Sequence, residues 1–233
     1  MQSFQLNNRY LWLFIFLSGL FITSVVTAEL ISNKLIEIPE FIFFGLSFGP
    51  YTTIVGILPW PIVFLITDLL NEFYGKNVVK RLSWICSVLI LFCFIIVGVS
   101  LQIPAKEING SLLADDASYN LVFGQTQMVI LGSIVAFLFS QLLDASIFSW
   151  IKSKTKDKFI WLRSTGSTII SQIIDTYVVL YIGFVLPGSL SLKEFFNIAP
   201  TNYVLKLLIA VLLTPLIYLG HYLIKNYLKE SNN

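Results

Sequence analysis

Two stretches of this chain carry acid and amide side chains inside otherwise apolar runs. In the first, Thr67-Asp68-Leu69-Leu70-Asn71-Glu72 closes an apolar run that begins near Tyr51. Asp68 and Glu72 are four residues apart and Asp68 and Asn71 three apart, so a helix puts all three on one face. In the second, Ser140-Gln141-Leu142-Leu143-Asp144 is echoed by Ser171-Gln172-Ile173-Ile174-Asp175. Gln and Asp are three apart in each copy and therefore neighbours on a helix surface. A carboxylate only accepts hydrogen bonds, whereas an amide both donates and accepts. Together they suit a neutral, flat, polar heterocycle. The same groups admit two other chemistries: acid–base catalysis by the Asp144 and Asp175 pair, or carriage of a proton by a buried carboxylate. Plainer readings stand beside these. The first helix can simply leave the apolar phase with Glu72 already in water, and Gln and Ser routinely bridge helices. Aspartate is a costly bridge where Ser or Gln suffices, which assigns Asp144 and Asp175 to function.

The elements that must position these residues are membrane helices. Apolar residues make up 56% of the 233 and charged ones 12%, against about 25% charged in ordinary globular chains. Mean hydropathy is +0.82. The expected architecture is all-α, one integral membrane domain over residues 1–233 with no hydrophilic segment long enough for a second. A span needs about 20 mostly apolar residues, and six segments meet that test, at roughly 10–29, 48–70, 82–102, 126–149, 164–186 and 203–224. Gly45, Gly49, Pro50, Gly56, Pro59 and Pro61 crowd the start of the second, which predicts a broken or kinked helix. Broken helices of this kind line cavities in transporters.

Basic residues orient the spans. Eleven of them (Arg9, Lys76, Lys80, Arg81, Lys152, Lys154, Lys156, Lys158, Arg163, Lys225 and Lys229) fall on one side, and three (Lys34, Lys106 and Lys193) on the other. The bias puts both termini in the cytoplasm, in agreement with an even number of spans. Trp150 and Trp161 flank the basic loop as interfacial anchors. The opposite loop, 103–125, is long enough for a short interfacial helix. Arg9 precedes the first apolar run and no small-x-small site follows it, so that run reads as a span and not a cleaved signal. Cys86 and Cys93 lie seven residues apart on one predicted helix, too far for a disulfide, and read as packing residues. His221 reads as interfacial. Lys206, inside the last span, either snorkels to water or reaches an aspartate. No Cys/His pair has metal-ligand spacing, no cofactor is called for, and the net charge of +2 gives no reason to expect nucleic acid.

Ile66 to Lys76 resembles a signature of the queuosine precursor transporter family, also described as vitamin-uptake-like transporters. Trp161 to Thr176 resembles its other hallmark, and Ser140 to Asp144 and Lys206 to Tyr218 also fit. The resemblance runs from about residue 10 to 225. One departure is Thr214 before Pro215, where the pattern has an acidic residue, so any role of that carboxylate is missing here. The resemblance implies a six-helix bundle in a bacterial inner membrane that imports 7-deazaguanine-type bases. The implied substrate-binding set is Asp68, Asn71, Glu72, Gln141, Asp144, Gln172, Asp175 and Lys206. A guanine-like edge is compatible: one Asp accepts from its N–H and NH2 in a fork, and a Gln or Asn donates to its carbonyl. Phe73, Tyr74, Tyr177 and Tyr181 are candidate stacking faces. No G-x-x-x-x-G-K-[ST] motif supplies ATP chemistry, so energy comes from an ion gradient, another subunit or intracellular trapping. Two alternatives remain, a substrate-binding subunit of a multi-component uptake system and an intramembrane enzyme. Self-association and an energising partner are both open.

Overall fold

The computed structural model describes residues 8–32, 34–43, 45–106, 113–124, 127–155 and 158–229. Lys156, which entered the charge argument, lies outside the described residues. Helix α1 (Asn8–Leu30) is followed by four short strands, β1 (Leu35–Ile38), β2 (Phe41–Phe43), β3 (Leu46–Phe48) and β4 (Tyr51–Ile54). Then come a 3-10 turn at Val55–Ile57, α2 (Trp60–Tyr74), α3 (Lys76–Ser100), α4 (Asp116–Phe123), α5 (Gln127–Thr155) and α6 (Ile160–Leu180). A π turn over Tyr181–Val185 extends α6, and α7 (Leu192–Leu212) and α8 (Thr214–Lys229) complete the chain. Six segments among the described residues are long and apolar enough to cross a membrane: Arg9–Leu30, Val55–Tyr74, Lys76–Ser100, one within Asp116–Thr155, Ile160–Val185 and Leu192–Leu212.

The bundle follows from where apolar residues fall on each helix. On α3, Val79, Leu82, Cys86, Ile90 and Phe94 recur every three or four residues and are buried, whereas Trp84, Val88, Phe92, Ile95 and Val99 are exposed. An apolar face on both sides is what a helix between protein and lipid requires. The buried face joins Leu17, Phe21 and Val25 of α1, Val63, Ile66 and Leu70 of α2, Phe137 of α5 and Ile217 of α8 in one core. Both cysteines are free, Cys86 buried and Cys93 half-buried, in keeping with packing roles.

The second span is broken, as its Gly and Pro content predicts, but further than a kink. Residues 48–54, expected to be helical, form the end of β3, the Gly49-Pro50 connection and β4. β1 pairs antiparallel with β4 (Leu35 opposite Ile54) and β2 with β3 (Phe41 opposite Phe48), making one folded-back ribbon. Gly45 and Gly49 take φ of 78° and 98°, which a helix cannot accommodate. The α-helix begins only at Trp60, with Pro61 in its first turn, where the missing N–H costs nothing. A short ribbon with open edges cannot sit in hydrocarbon. It lies at the end of the bundle remote from Arg9, where Tyr51 and Ile57 pack on Leu205 and Ile209 of α7.

The last span also differs from its sequence boundaries. Instead of starting near 203, the helix starts at Leu192, eleven residues earlier. Ser191 and Glu194 form a capping box there, each side chain bonding the other's backbone N–H, and Pro200 is carried inside the helix. The helix breaks at Leu213, just before Pro215, and resumes as α8. The short helix expected in loop 103–125 is α4; Asp115 caps it by accepting from the Ser118 N–H at 2.6 Å.

The Arg9 end of the bundle is tied by polar contacts. Arg9 donates to the Tyr227 carbonyl at 3.2 Å, Tyr74 to the Tyr10 carbonyl at 2.8 Å, and Tyr10 to the Phe73 carbonyl. The tight partnership at the centre is α5 with α6. Gly132 and Gly183 let the two backbones meet: a Cβ on Gly132 would lie 3.0 Å from the Gly183 nitrogen and 3.2 Å from the Val179 oxygen.

Candidate functional site

Three polar layers cross the bundle; α5 and α6 contribute to all three and α2 to two. The layer nearest Arg9 is built on Glu72. Its carboxylate lies 2.6 Å from Arg163 and 3.1 Å from Lys152, with the His221 Nε2 at 3.7 Å. Lys152 also donates to the Glu72 carbonyl at 2.7 Å. The Glu72 side chain is 8% exposed and that of Arg163 1%, so Glu72 is not a helix end in water. Arg163 additionally lies over the Phe148 ring. Asn71 faces the same way: it donates to the Ala145 carbonyl at 3.0 Å and accepts from Ser149 at 3.0 Å. Both residues are committed to joining α2 to α5 and α6. Breaking such a buried pair by removing one partner costs about 3–5 kcal/mol, because a lone charge is left behind.

The middle layer contains two crevices. One is lined by Thr67, Ser140, Gln141, Asp144, Ser171 and Gln172, with Phe64 and Thr168. The other is lined by Asp68, Ser164, Thr165, Leu213 and Ile217, again with Phe64 and Thr168. Phe64 and Thr168 are thus the wall between Asp68 and Asp144. The two Ser-Gln-x-x-Asp phrases meet as their spacing predicts, and they meet crosswise. Ser171 donates to Asp144 at 3.0 Å and Ser140 to Asp175 at 3.3 Å, so each aspartate is held by the serine of the other copy. Thr67 donates to the Val63 carbonyl at 2.8 Å and reaches the Gln141 oxygen at 3.5 Å. Ser164 donates to Asp68. The side-chain oxygen of Gln172 is buried with no hydrogen-bond partner among the described residues. A buried carbonyl left unmade costs about 1–3 kcal/mol, which is tolerable where a ligand completes it.

The third layer lies toward the ribbon. Lys206 reaches Asp175 at 2.5 Å, which decides between its two sequence readings: it pairs rather than snorkels. Glu29, near the end of α1, is 6% exposed; the Ser133 hydroxyl of α5 bonds it, and the charges of Asp175 and Lys206 act on it.

Of the eight residues expected to bind substrate, Asp68, Gln141, Asp144 and Gln172 line the crevices. Asn71 and Glu72 form the layer below, and Asp175 and Lys206 the layer above. The expected stacking aromatics are engaged elsewhere: Phe73 stacks on His221, Tyr74 packs at a tilt against Tyr10, and Tyr177 and Tyr181 meet Phe195 edge-on. The ring that faces both crevices is Phe64, which sequence reading did not single out, since one Phe among 20 carries no mark. Glu29 was missed as well. It had a signal, an acid closing an apolar run, but one that a helix simply ending there also produces.

The family profile described as "Putative vitamin uptake transporter" matches residues 54–220. A Bacillus subtilis protein named "Probable queuosine precursor transporter" is 31% identical over 91% of this chain and 88% of its own length. The Escherichia coli "Queuosine precursor transporter" is 27% identical over 91% of this chain and 86% of its own. A Haemophilus influenzae relative is 23% identical over 68% and 63%. No solved structure matches. With its profile match across most of the chain and six spans around a polar centre, this multi-pass membrane protein belongs to the vitamin uptake transporter family.

Proposed function

We propose that this chain imports queuosine precursors, 7-deazaguanine-type bases, across a bacterial inner membrane and passes them on unchanged, with both termini in the cytoplasm. The observation that carries the reading is the Gln141–Asp144–Gln172 crevice, with the unpartnered Gln172 oxygen inside it. The names of the relatives support the substrate class. A guanine-type edge supplies what the crevice wants. Its adjacent N–H and NH2 are donors for Asp144, and a further ring or exocyclic N–H can satisfy the Gln172 carbonyl. The amide of Gln141 donates to the base carbonyl. Each crevice has room for about one water as it stands, far below the roughly 300–1,000 Å³ of ordinary ligand sites. Phe64 lines both, so turning its ring aside merges them, brings Asp68 into the site and offers an aromatic face to the base. Asn71 and Glu72 hold the frame.

The test is uptake of tritiated 7-deazaguanine by cells that express the chain and cannot make the base. Expected is accumulation of unmodified label, competed by unlabelled guanine-like deazapurines and not by biotin or thiamine. Inhibition by either vitamin, with none from the deazapurines, would overturn the substrate assignment.

A further inference from the structure

The buried acids of the polar layers are not served alike. Glu72 is paired with Arg163 at 2.6 Å and Lys152 at 3.1 Å, and Asp175 with Lys206 at 2.5 Å. Asp68 is 3% exposed, and among the described residues it has no ion-pair partner. Glu72, one turn further along α2, and Arg163, the residue before Ser164, are engaged with each other. Ser164 donates to Asp68 Oδ2, and among the described residues no donor reaches Oδ1. Asp144 also lacks a basic partner there, but the reading above gives it the two donors of the guanine-type edge.

The space beside Asp68 has a definite character. Apart from the hydroxyls of Ser164, Thr165 and Thr168, its walls are Phe64, Leu65, Ala210, Leu213 and Ile217. The Ser164 hydroxyl is already given to Asp68, and that of Thr165 lies 3.3 Å from the Thr214 hydroxyl. A carboxylate in such surroundings is costly unless a positive group meets it. The crevice holds about one water, and an ammonium head is of that size. Phe64 adds an aromatic ring to the wall, and a ring face attracts a cation. The base has a route to this point. In 7-deazaguanine the C7 position flanks the carbonyl. With that carbonyl at Gln141, which Thr67 of α2 reaches at 3.5 Å, an arm on C7 lies on the α2 side, where Asp68 follows Thr67.

Resting on the import reading above, we propose that Asp68 selects for a positively charged substrate, a 7-deazaguanine-type base whose C7 arm ends in an ammonium. The ammonium enters the Asp68 crevice, donates an N–H to Oδ1 and balances the carboxylate. A neutral arm of the same size can donate to Oδ1 but leaves the charge unbalanced, so charge-assisted donation separates the two bases. If Asp68 instead held only a proton, a charge on the arm would bring no gain.

The test is competition for tritiated 7-deazaguanine on the full chain in detergent, where no membrane potential favours a cation. The competitors are 7-aminomethyl- and 7-hydroxymethyl-7-deazaguanine, alike in size, at neutral pH, where only the amine is charged. On the wild type the aminomethyl base should compete about tenfold or more better. Asp68→Asn keeps an acceptor for Ser164. It should still bind 7-deazaguanine, with the preference reduced to about twofold or less. A purely structural Asp68 would weaken all three bases together and leave the preference intact. Equal competition on the wild type, or a preference that survives Asp68→Asn, would overturn the proposal. Should Asp68→Asn not assemble, a trimethylammonium arm on the wild type decides, since it carries the charge with no N–H to give. Competition no better than the hydroxymethyl base supports the proposal, and competition equal to the aminomethyl base overturns it. Binding with this preference but no uptake by cells would overturn the import reading alone.

Discussion

At the scale of single residues, the polar groups differ in what holds them. Asp144 is gripped by Ser171, Asp175 by Ser140 and Lys206, and Glu72 by Arg163 and Lys152. Gln172 presents a buried oxygen with no internal acceptor role among the described residues. That difference separates a binding residue from a scaffold residue by the sign of its effect on stability. Gln172→Leu removes an unsatisfied carbonyl from a buried site, so the thermal midpoint of the detergent-solubilised protein should hold or rise. Base affinity should fall by about 1–3 kcal/mol, roughly 5- to 150-fold, read as a raised half-saturation in uptake at matched membrane levels. A fall in thermal midpoint with normal uptake would make Gln172 a structural residue.

At the scale of elements, the reciprocal Ser–Asp contacts depend on α5 and α6 running antiparallel at very short separation. The glycines at the far end permit it. A methyl on Gly132 would meet backbone, the Gly183 nitrogen at 3.0 Å and the Val179 oxygen at 3.2 Å, and backbone cannot rotate away as a side chain can. Gly132→Val should therefore push the π-turn end of α6 off α5 and cost about 1–3 kcal/mol. The expected readout is a lowered thermal midpoint together with weakened uptake, since Ser140 and Ser171 lose register. Gly98 has nothing within 4 Å of a built Cβ, and Gly98→Val serves as the control that should leave both nearly unchanged. Equal behaviour of the two variants would show that the close approach is not what sets the register.

At the scale of the whole molecule, six spans carry polar layers at three levels, with the Glu72 ion pairs toward the Arg9 end and Lys206–Asp175 toward the ribbon end. The proposed orientation follows from the eleven-to-three distribution of basic residues, through the preference of Lys and Arg for the cytoplasmic face. Reporter fusions after Lys158 and at the C-terminus should therefore read as cytoplasmic, and one at Asp116 as external. A cytoplasmic reading at Asp116 would reverse the proposed orientation.

What was legible in the sequence is what short-range physics determines. Twenty apolar residues must span, acids three and four apart must share a helix face, and the repeated Ser-Gln-x-x-Asp phrase had to meet its copy once a short basic loop turned α5 into α6. Gly and Pro announced the broken second span. They did not announce strands, because pairing β1 with β4 is decided by residues nearly 20 apart in sequence. Pro200 inside α7 likewise reflects packing that overrides a local preference, whereas the helix start at Leu192 follows the local Ser191–Glu194 capping box, which the hydropathy count passed over. The division of the eight candidate residues was tertiary too. Asn71 and Gln172 look alike as amides on polar faces, yet one finds the Ala145 carbonyl and Ser149 while the oxygen of the other finds no partner among the described residues. Burial and partnership depend on every neighbouring helix at once, and so Glu29, an unremarked acid ending an apolar run, became a side chain that only the folded bundle could bury.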